Sequence, residues 1–338
     1  MRNAISGMLA SDPEIEVIGT ARDGLEALEK VSSLRPDIVT MDIEMPRMDG
    51  LTALKQIMAK SPVPVIMISS LTSEGAKATL DALEYGAVDF IPKNLSDLSV
   101  NIMKIREILI NKVKQITQKK LVSPKTRSQA PQTIPETSHS ISPMPATARR
   151  MGIVSIGTST GGPKALHAIL PHMPKDFPVP IIIAQHMPPA FTGPFAERLN
   201  QICKISVKEA EEGEPIRPGV ALIAPGRGHM RVRRQRAIET VVTISENRDE
   251  FIYRPSVDAL MFSVAECFPG RALGIILTGM GNDGLKGLTA LKKTGGRIFA
   301  QNEETCVVYG MPKAVVDAGI ADKVLPIEEM AGEIINAV

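Results

Sequence analysis

Short apolar runs alternating with helix-length amphipathic segments constrain this chain more than any other feature. The runs at 37–41, 63–69, 87–91, 152–156, 180–184 and 272–277 are bounded by Pro, Gly or polar residues and are too short for helices. They read as buried strands. Between them lie stretches with apolar residues at helical spacing, among them 2–11, 24–33, 50–60, 73–85, 98–116, 163–170 and 257–266. In the segment 98–116, Leu98, Ile102, Ile105, Leu109, Val113 and Ile116 fall on one face. Strands joined by helices of this length require right-handed crossovers and hence a parallel sheet. The class is therefore α/β. Further strands are expected at 16–21, 206–210, 221–224 and 297–300, and the period-two alternation of 229–245 predicts a β-hairpin.

One segment breaks the pattern. Of the 33 residues 118–150, fourteen are Ser, Thr or Pro, and large apolar side chains are scarce. Such a stretch cannot bury enough surface to offset its ordering entropy, so it reads as a flexible linker. It separates a first domain, 1–117, from a second, 151–338. The linker carries six basic residues and one acidic residue, so the net charge of +2 for all 338 residues leaves the two domains slightly acidic. The basic balance thus belongs to the linker, and with 3% aromatic residues and no Trp the chain lacks the stacking side chains of a nucleic-acid binder. Cys203, Cys267 and Cys306 are isolated, which reads as reduced thiols of a cytoplasmic protein and not as a disulfide framework or zinc site. No apolar run approaches the ~20 residues of a membrane span, so no direct membrane insertion is expected.

In the first domain Asp42 follows the strand 37–41, Ser69 ends the next strand and Lys93 follows the last one. Ligands of open parallel sheets gather at the carboxyl ends of strands. A carboxylate, a hydroxyl and an ammonium there can converge, with Ser69 and Lys93 stabilising the oxygens of a phosphoryl group on Asp42. The segment PDIVTMDIEMPRMDG (36–50), with VIMISS and VDFIPKN, resembles response-regulator receiver domains. The resemblance implies a flavodoxin-like doubly wound parallel sheet and Asp42 as the residue phosphorylated by a sensor histidine kinase. Ser69 and Lys93 would bind the phosphoryl group, and Mg²⁺ would be held by Asp42 and the backbone carbonyl of Glu44. Two departures stand out. Asn94 follows the lysine where the family has Pro, and the family's first strand, with its pair of metal-binding acids, has no counterpart before residue 2. That strand is central in the family's 2-1-3-4-5 order. Its lack predicts a chain truncated or misassigned at its start by roughly a dozen residues, one strand plus a loop, with an incomplete metal site.

In the second domain GTSTGG (157–162) lies between a strand and a helix, and its first five residues match G-x-S-x-G. The glycines permit a sharp turn that presents Ser159 at the sheet edge beside helix N-terminal amides. The spacing matches neither dinucleotide nor P-loop glycine patterns, which disfavours a nucleotide- or NAD-binding domain. A serine nucleophile needs a base, usually a histidine oriented by a carboxylate. His139 lies in the linker, His167 and His172 read as surface or capping residues, and His229 precedes the hairpin. His186, directly after the strand 180–184, is the better placed. Asp283 in LTGMGNDG follows another buried strand. The order Ser-His-Asp differs from that of α/β-hydrolases. An inactive scaffold stays open until the three side chains are shown to meet.

GTSTGG, AQHMP, RPSVDALMFSVAE, LTGMGNDG and AQNEETCVVYGMPKAV resemble the catalytic domain of chemotaxis protein-glutamate methylesterases, across nearly all of 152–338. This implies a three-layer α/β domain with a mostly parallel sheet and an attached hairpin. It also implies Ser159 as nucleophile, His186 as base, Asp283 as orienting acid, Thr160 as a supporting residue and the Met280 N–H as oxyanion donor. The implied reaction is hydrolysis of glutamate γ-methyl esters on methyl-accepting chemotaxis receptors, with deamidation of receptor glutamines in some members. It needs no cofactor for the esterase step, and the unphosphorylated receiver covers the site. The incomplete metal site leaves open a constitutively acting esterase. The basic cluster RVRRQR (231–236) leaves open a DNA-binding regulator, although it falls in the expected hairpin and reads better as a solvated edge or a contact for acidic receptor surface.

Overall fold

The computed structural model describes residues 1–93, 101–121, 150–235, 239–247 and 251–338. The first unit runs α1 (Arg2–Ala10), α2 (Gly24–Leu34), β1 (Val39–Asp42), α3 (Gly50–Lys60), β2 (Val65–Ser69), α4 (Ser73–Glu84), β3 (Asp89–Pro92) and α5 (Asn101–Leu121). The strands form a parallel sheet in the order β1-β2-β3. Successive side chains of a strand point to opposite faces. Val65 and Met67 of β2 accordingly join the layer of α2 and α3 with Val31, Leu54 and Ile57, whereas Ile66 and Ile68 join the layer of α1 and α5 with Leu9, Leu109 and Val113. The inward face read for α5 is observed at Leu109, Val113 and Ile116, with Ile105 partly buried. Leu98 and the side chain of Ile102 lie outside the described residues.

Two expectations are corrected here. Residues 16–21 form no strand. With β1 they line a cavity of ≈590 Å³, and among the described residues the ladder partner of β1 is β2. A backbone with no partner at hydrogen-bonding distance has nothing to make it a strand, whatever its side-chain alternation. Helix α5 continues to Leu121, four residues into the segment read as linker; residues 122–149 lie outside the described residues.

The second unit runs β4 (Ile153–Thr158), α6 (Gly162–Ile169) with a 3₁₀ turn at Leu170–His172, β5 (Ile181–Gln185), α7 (Pro189–Ile202), β6 (Ser206–Glu209) and β7 (Val220–Ile223). The hairpin β8 (His229–Arg234) and β9 (Thr240–Ser245) follows. The chain ends with α8 (Val257–Cys267), β10 (Ala272–Ile276), α9 (Leu285–Lys293), β11 (Arg297–Gln301), α10 (Met311–Asp317), β12 (Lys323–Leu325) and α11 (Ile327–Ala337). Seven strands form a parallel sheet in the order β12-β11-β10-β4-β5-β7-β6. Val154 and Ile156 pack towards α6, α7 and α11 with Leu166, Phe191 and Ile334, and Ile153 packs towards α8 and α9 with Leu260 and Leu288. This is the expected three-layer arrangement. The antiparallel hairpin lies against α8, where Ser263 Oγ accepts from Val232 N at 3.0 Å and the Arg234 guanidinium donates to Cys267 O.

The chain builds β4 and β5, extends to one side with β7 and β6, and then returns to the other side of β4 with β10. The sheet order therefore reverses at β4, where open α/β sheets place their ligands, at the carboxyl ends of the strands. The core under this point is fully enclosed, so truncation of Ile156 leaves a cavity. Ile156→Ala is expected to destabilise the second unit by about 2–5 kcal/mol, read as a lowered denaturant midpoint; an unchanged midpoint would contradict this packing.

Candidate active site

Ser159 and His186 come directly off the ends of β4 and β5, and Asp283 lies in the loop between β10 and α9. The β4–β5 ladder ends with Thr158 opposite Gln185, and His186 N donates to Thr158 O at 3.1 Å. Ser159 and His186 are thus the next residue on each of two neighbouring strands. The turn after Ser159 is possible because Gly161 caps α6 with φ +77°, a left-handed conformation that favours glycine. Ser159 N donates to Thr278 O at 3.0 Å and Gly162 N to Ser159 O at 2.8 Å, which fixes the turn at both ends.

His186 Nε2 lies 2.8 Å from Asp283 Oδ2. Asp283 is buried, and its carboxylate sits at the N-terminus of α8. Oδ2 also accepts from Val257 N at 2.8 Å, and Oδ1 accepts from Asp258 N at 3.0 Å and Ser256 Oγ at 3.1 Å. Burial pushes the carboxyl up, but the His186 hydrogen bond and charge, with the Asp258 and Val257 amides, outweigh it and hold Asp283 below its ordinary range. Asp258 returns the favour: its Oδ1 accepts from Gly284 N at 3.0 Å and Gly287 N at 2.7 Å, tying the N-termini of α8 and α9 together. Burial, and then the nearby Asp283 charge, raise the Asp258 carboxyl, against the pull of those two amides. Tyr253, which no sequence pattern singles out, stacks on the His186 ring at 4.6 Å and 9°.

Among the described residues no hydrogen bond links Ser159 Oγ to the imidazole. Catalytic hydrogen bonds are often loose without substrate. With Nε2 on Asp283, Nδ1 is the ring nitrogen left for the serine proton. The Met280 amide donates no backbone hydrogen bond among the described residues, whereas its neighbour Gly279 N donates to Val308 O. The other histidines are used differently. His229 is buried and accepts from Ser256 N through Nδ1 at 3.2 Å, His167 packs on Phe195, and His172 is exposed. His139 lies outside the described residues.

Thr160, next to Ser159, turns towards the first unit. Its Oγ1 donates to Asp89 Oδ2 at 2.5 Å, and Lys112 pairs with the same carboxylate and lies 3.4 Å from Thr160 Oγ1. Around this polar contact, Val308, Val307 and Met280 pack into the cluster of Ile91 and Leu109, and Phe90 stacks on Phe191 at 4.5 Å. Arg198 of α7 pairs with Asp81 and Glu84 of α4. The first unit therefore sits on the strand-end face that carries Ser159.

In the first unit Lys93 Nζ lies 2.6 Å from Asp42 Oδ1 and 3.0 Å from Glu44 Oε2. Burial pulls this ammonium down, but the two carboxylates outweigh it and raise it above its ordinary value. Ser69 ends β2 at the same strand end, and its carbonyl accepts from Lys93 N at 2.6 Å. Its hydroxyl is buried against α4, accepting from Thr79 Oγ1 at 2.5 Å and lying 3.1 Å from Gly75 O. A hexacoordinate Mg²⁺ needs several hard oxygens. Among the described residues no group of three or more His, Cys, Asp or Glu side chains could hold a metal, and the Asp42 and Glu44 carboxylates are already bridged by Lys93. These residues alone do not fit the ion. Asn94 and Arg236 lie outside the described residues, and Arg231, Arg233 and Arg234 fall on strand β8, not on a helix. No helix among the described residues is long and apolar enough to cross a membrane.

Residues 154–334 match the family described as CheB methylesterase, and residues 1–102 match the response regulator receiver domain. The chain is 51% identical to protein-glutamate methylesterase/protein-glutamine glutaminase 1 of Oleidesulfovibrio alaskensis, over all of this chain and 96% of the relative. It is 44% identical to the protein of the same activity from Pyrococcus horikoshii, over all of this chain and 90% of that one. The crystal structure of the Thermotoga maritima CheB methylesterase catalytic domain is similar with a TM-score of 0.54 and 43% identity, covering 56% of this chain and 99% of that chain. A receiver domain suggests Mg²⁺ binding for phosphorylation.

The lowered Asp283 carboxyl has a consequence for stability. A group with a depressed folded value contributes stability that is present above its unfolded value and lost as pH falls through the folded one. That contribution is thus complete above the ordinary value of 3.8 and fades below it. Asp283→Asn is expected to flatten the fall of Tm below about pH 4; a variant that follows the wild-type acid curve would contradict the ionised, hydrogen-bonded carboxylate.

Proposed function

This chain belongs to the CheB methylesterase family, with a receiver domain ahead of the catalytic half, and from that we propose that Ser159, His186 and Asp283 do the chemistry while the receiver controls access to them. The reaction is hydrolysis of glutamate γ-methyl esters on chemotaxis receptors, which the relatives' names pair with glutamine deamidation. The observation that carries the residue assignment is the His186 Nε2–Asp283 Oδ2 contact at 2.8 Å, beside the Ser159 turn.

Ser159 Oγ attacks the ester carbonyl as His186 Nδ1 takes its proton, forming the Oγ–C bond and a tetrahedral oxyanion. Asp283 stabilises the imidazolium that results and keeps Nε2–H aimed at itself. The Met280 N–H is the donor assigned to the oxyanion. Collapse breaks the carbonyl carbon–methoxy bond, and the imidazolium protonates the leaving oxygen to give methanol. Water repeats the sequence on the acyl-enzyme and releases the glutamate carboxylate. For a glutamine side chain the leaving group is ammonia. These steps use side chains, one backbone amide and water.

Asp42 is the assigned phosphoryl acceptor, supplied by a sensor histidine kinase, with Lys93 on its carboxylate. The Thr160–Asp89–Lys112 contact and the apolar packing of Met280 and Val308 hold the receiver over the strand-end face. Activation is then a shift from this closed arrangement to one that admits the receptor. A constitutively acting esterase is not favoured by such an interface. The assigned location is the cytoplasm, where the kinase and the receptor's methylated helices are reached.

Ser159→Ala is expected to abolish methanol release from methylated receptor membranes; retained release would overturn the nucleophile assignment. Asp89→Ala removes the acceptor for Thr160 and the partner of Lys112, and is expected to raise the unstimulated rate roughly tenfold. An unchanged rate would show that this contact does not hold the closed state.

A further inference from the structure

The β4–β5 ladder stops one residue short of the chemistry. Its last register pair is Thr158 with Gln185, and Ser159 and His186 lie beyond it. What continues the brace is the Gln185 side chain. Gln185 is buried, and its Nε2 donates to Ser159 O at 3.0 Å and to His186 O, also at 3.0 Å. One NH₂ group thus uses both its hydrogens to join the backbones of the nucleophile and the base.

The chemistry of the contact specifies glutamine. Two carbonyl oxygens need two donors, which fixes the orientation of the amide and excludes a carboxylate. The arrangement leaves Gln185 Oε1 buried without a hydrogen-bond partner among the described residues. Buried polar atoms are rarely left so, and the ones that are call for an explanation. The two bonds to the catalytic backbones supply it. Gly162 completes the device: a Cβ there would meet Gln185 Oε1 and Thr158 Oγ1, so the last glycine of the GTSTGG turn makes room for the amide beneath it.

We propose that Gln185 is a positioning residue that sets the distance between Ser159 and His186 across the end of the β4–β5 ladder. It touches neither substrate nor reacting atoms, and its effect is exerted through backbone placement. The proposal rests on Ser159 and His186 being nucleophile and base. Displacements of about 1 Å at reacting groups cost on the order of 100-fold in rate.

The test is steady-state methanol release by the full chain, carrying Gln185→Met, Gln185→Glu or Gly162→Ala, with the rate divided by the folded fraction from circular dichroism. Gln185→Met removes both donors at similar volume. Gln185→Glu sets a carboxylate against two carbonyls, and Gly162→Ala displaces the amide without changing it. The expected result is a kcat lowered roughly 10–100-fold in each variant that folds, with KM changed less than about threefold. A kcat per folded molecule near wild type in both Gln185 variants, or a rise in KM alone, would overturn the proposal. Loss of folding in all three would also overturn it, by assigning the amide to the fold and not to the site. Ser159→Ala, run alongside, separates the two levels. If it stays active, the catalytic reading itself fails; if it is inactive while the Gln185 variants keep their kcat, only the clamp fails.

Discussion

A single buried carboxylate organises the catalytic half. Asp283 lies out of water, where an unpaired charge is costly, and it is kept ionised by the Val257 and Asp258 amides, the Ser256 hydroxyl and the His186 ring. To supply those amides the N-terminus of α8 must meet the loop after β10. Asp258 secures that meeting by accepting from Gly284 and Gly287 at the start of α9. The imidazole is thereby held by one nitrogen, and the other is left for Ser159. Fold and site meet here: the helix that covers one face of the sheet is also the helix whose first turn holds Asp283.

The second constraint is shared between the two units. Thr160 follows Ser159 directly, yet its hydroxyl is spent on the receiver's Asp89. The assigned oxyanion donor belongs to Met280, whose side chain packs against receiver residues. The surfaces that hold the receiver and the surfaces that serve the reaction are thus adjacent parts of the same turns. Separating the units frees both together, which gives a receiver a direct mechanical route to an esterase without a long chain of intermediates.

Much of this was legible in the sequence. Parallel sheets follow from strand–helix alternation; Ser159 and His186 follow apolar runs, which places them at strand ends, and Asp283 lies in the loop after a third run. Register then does the rest, because β10, β4 and β5 are adjacent. The failures have physical reasons. Residues 16–21 alternate like a strand, but pairing depends on a neighbour and not on pattern. Helix α7 opens with Pro and carries Pro194 inside, which hides it from periodicity. Gln185 lies one residue past the run read at 180–184, and Asp89 falls inside the strand read at 87–91. Their roles come from what lies across from them. Ser69 lies at the expected strand end, with its hydroxyl accepting from Thr79.

The central claim is that Ser159 is a nucleophile activated through His186. Its most direct test is to treat the full chain with a fluorophosphonate ester and map the adduct by peptide mass spectrometry. The account predicts a single adduct on Ser159, formed at least about tenfold more slowly when His186 is replaced by Ala. An adduct on another residue, or labelling of Ser159 that is indifferent to His186, would contradict it.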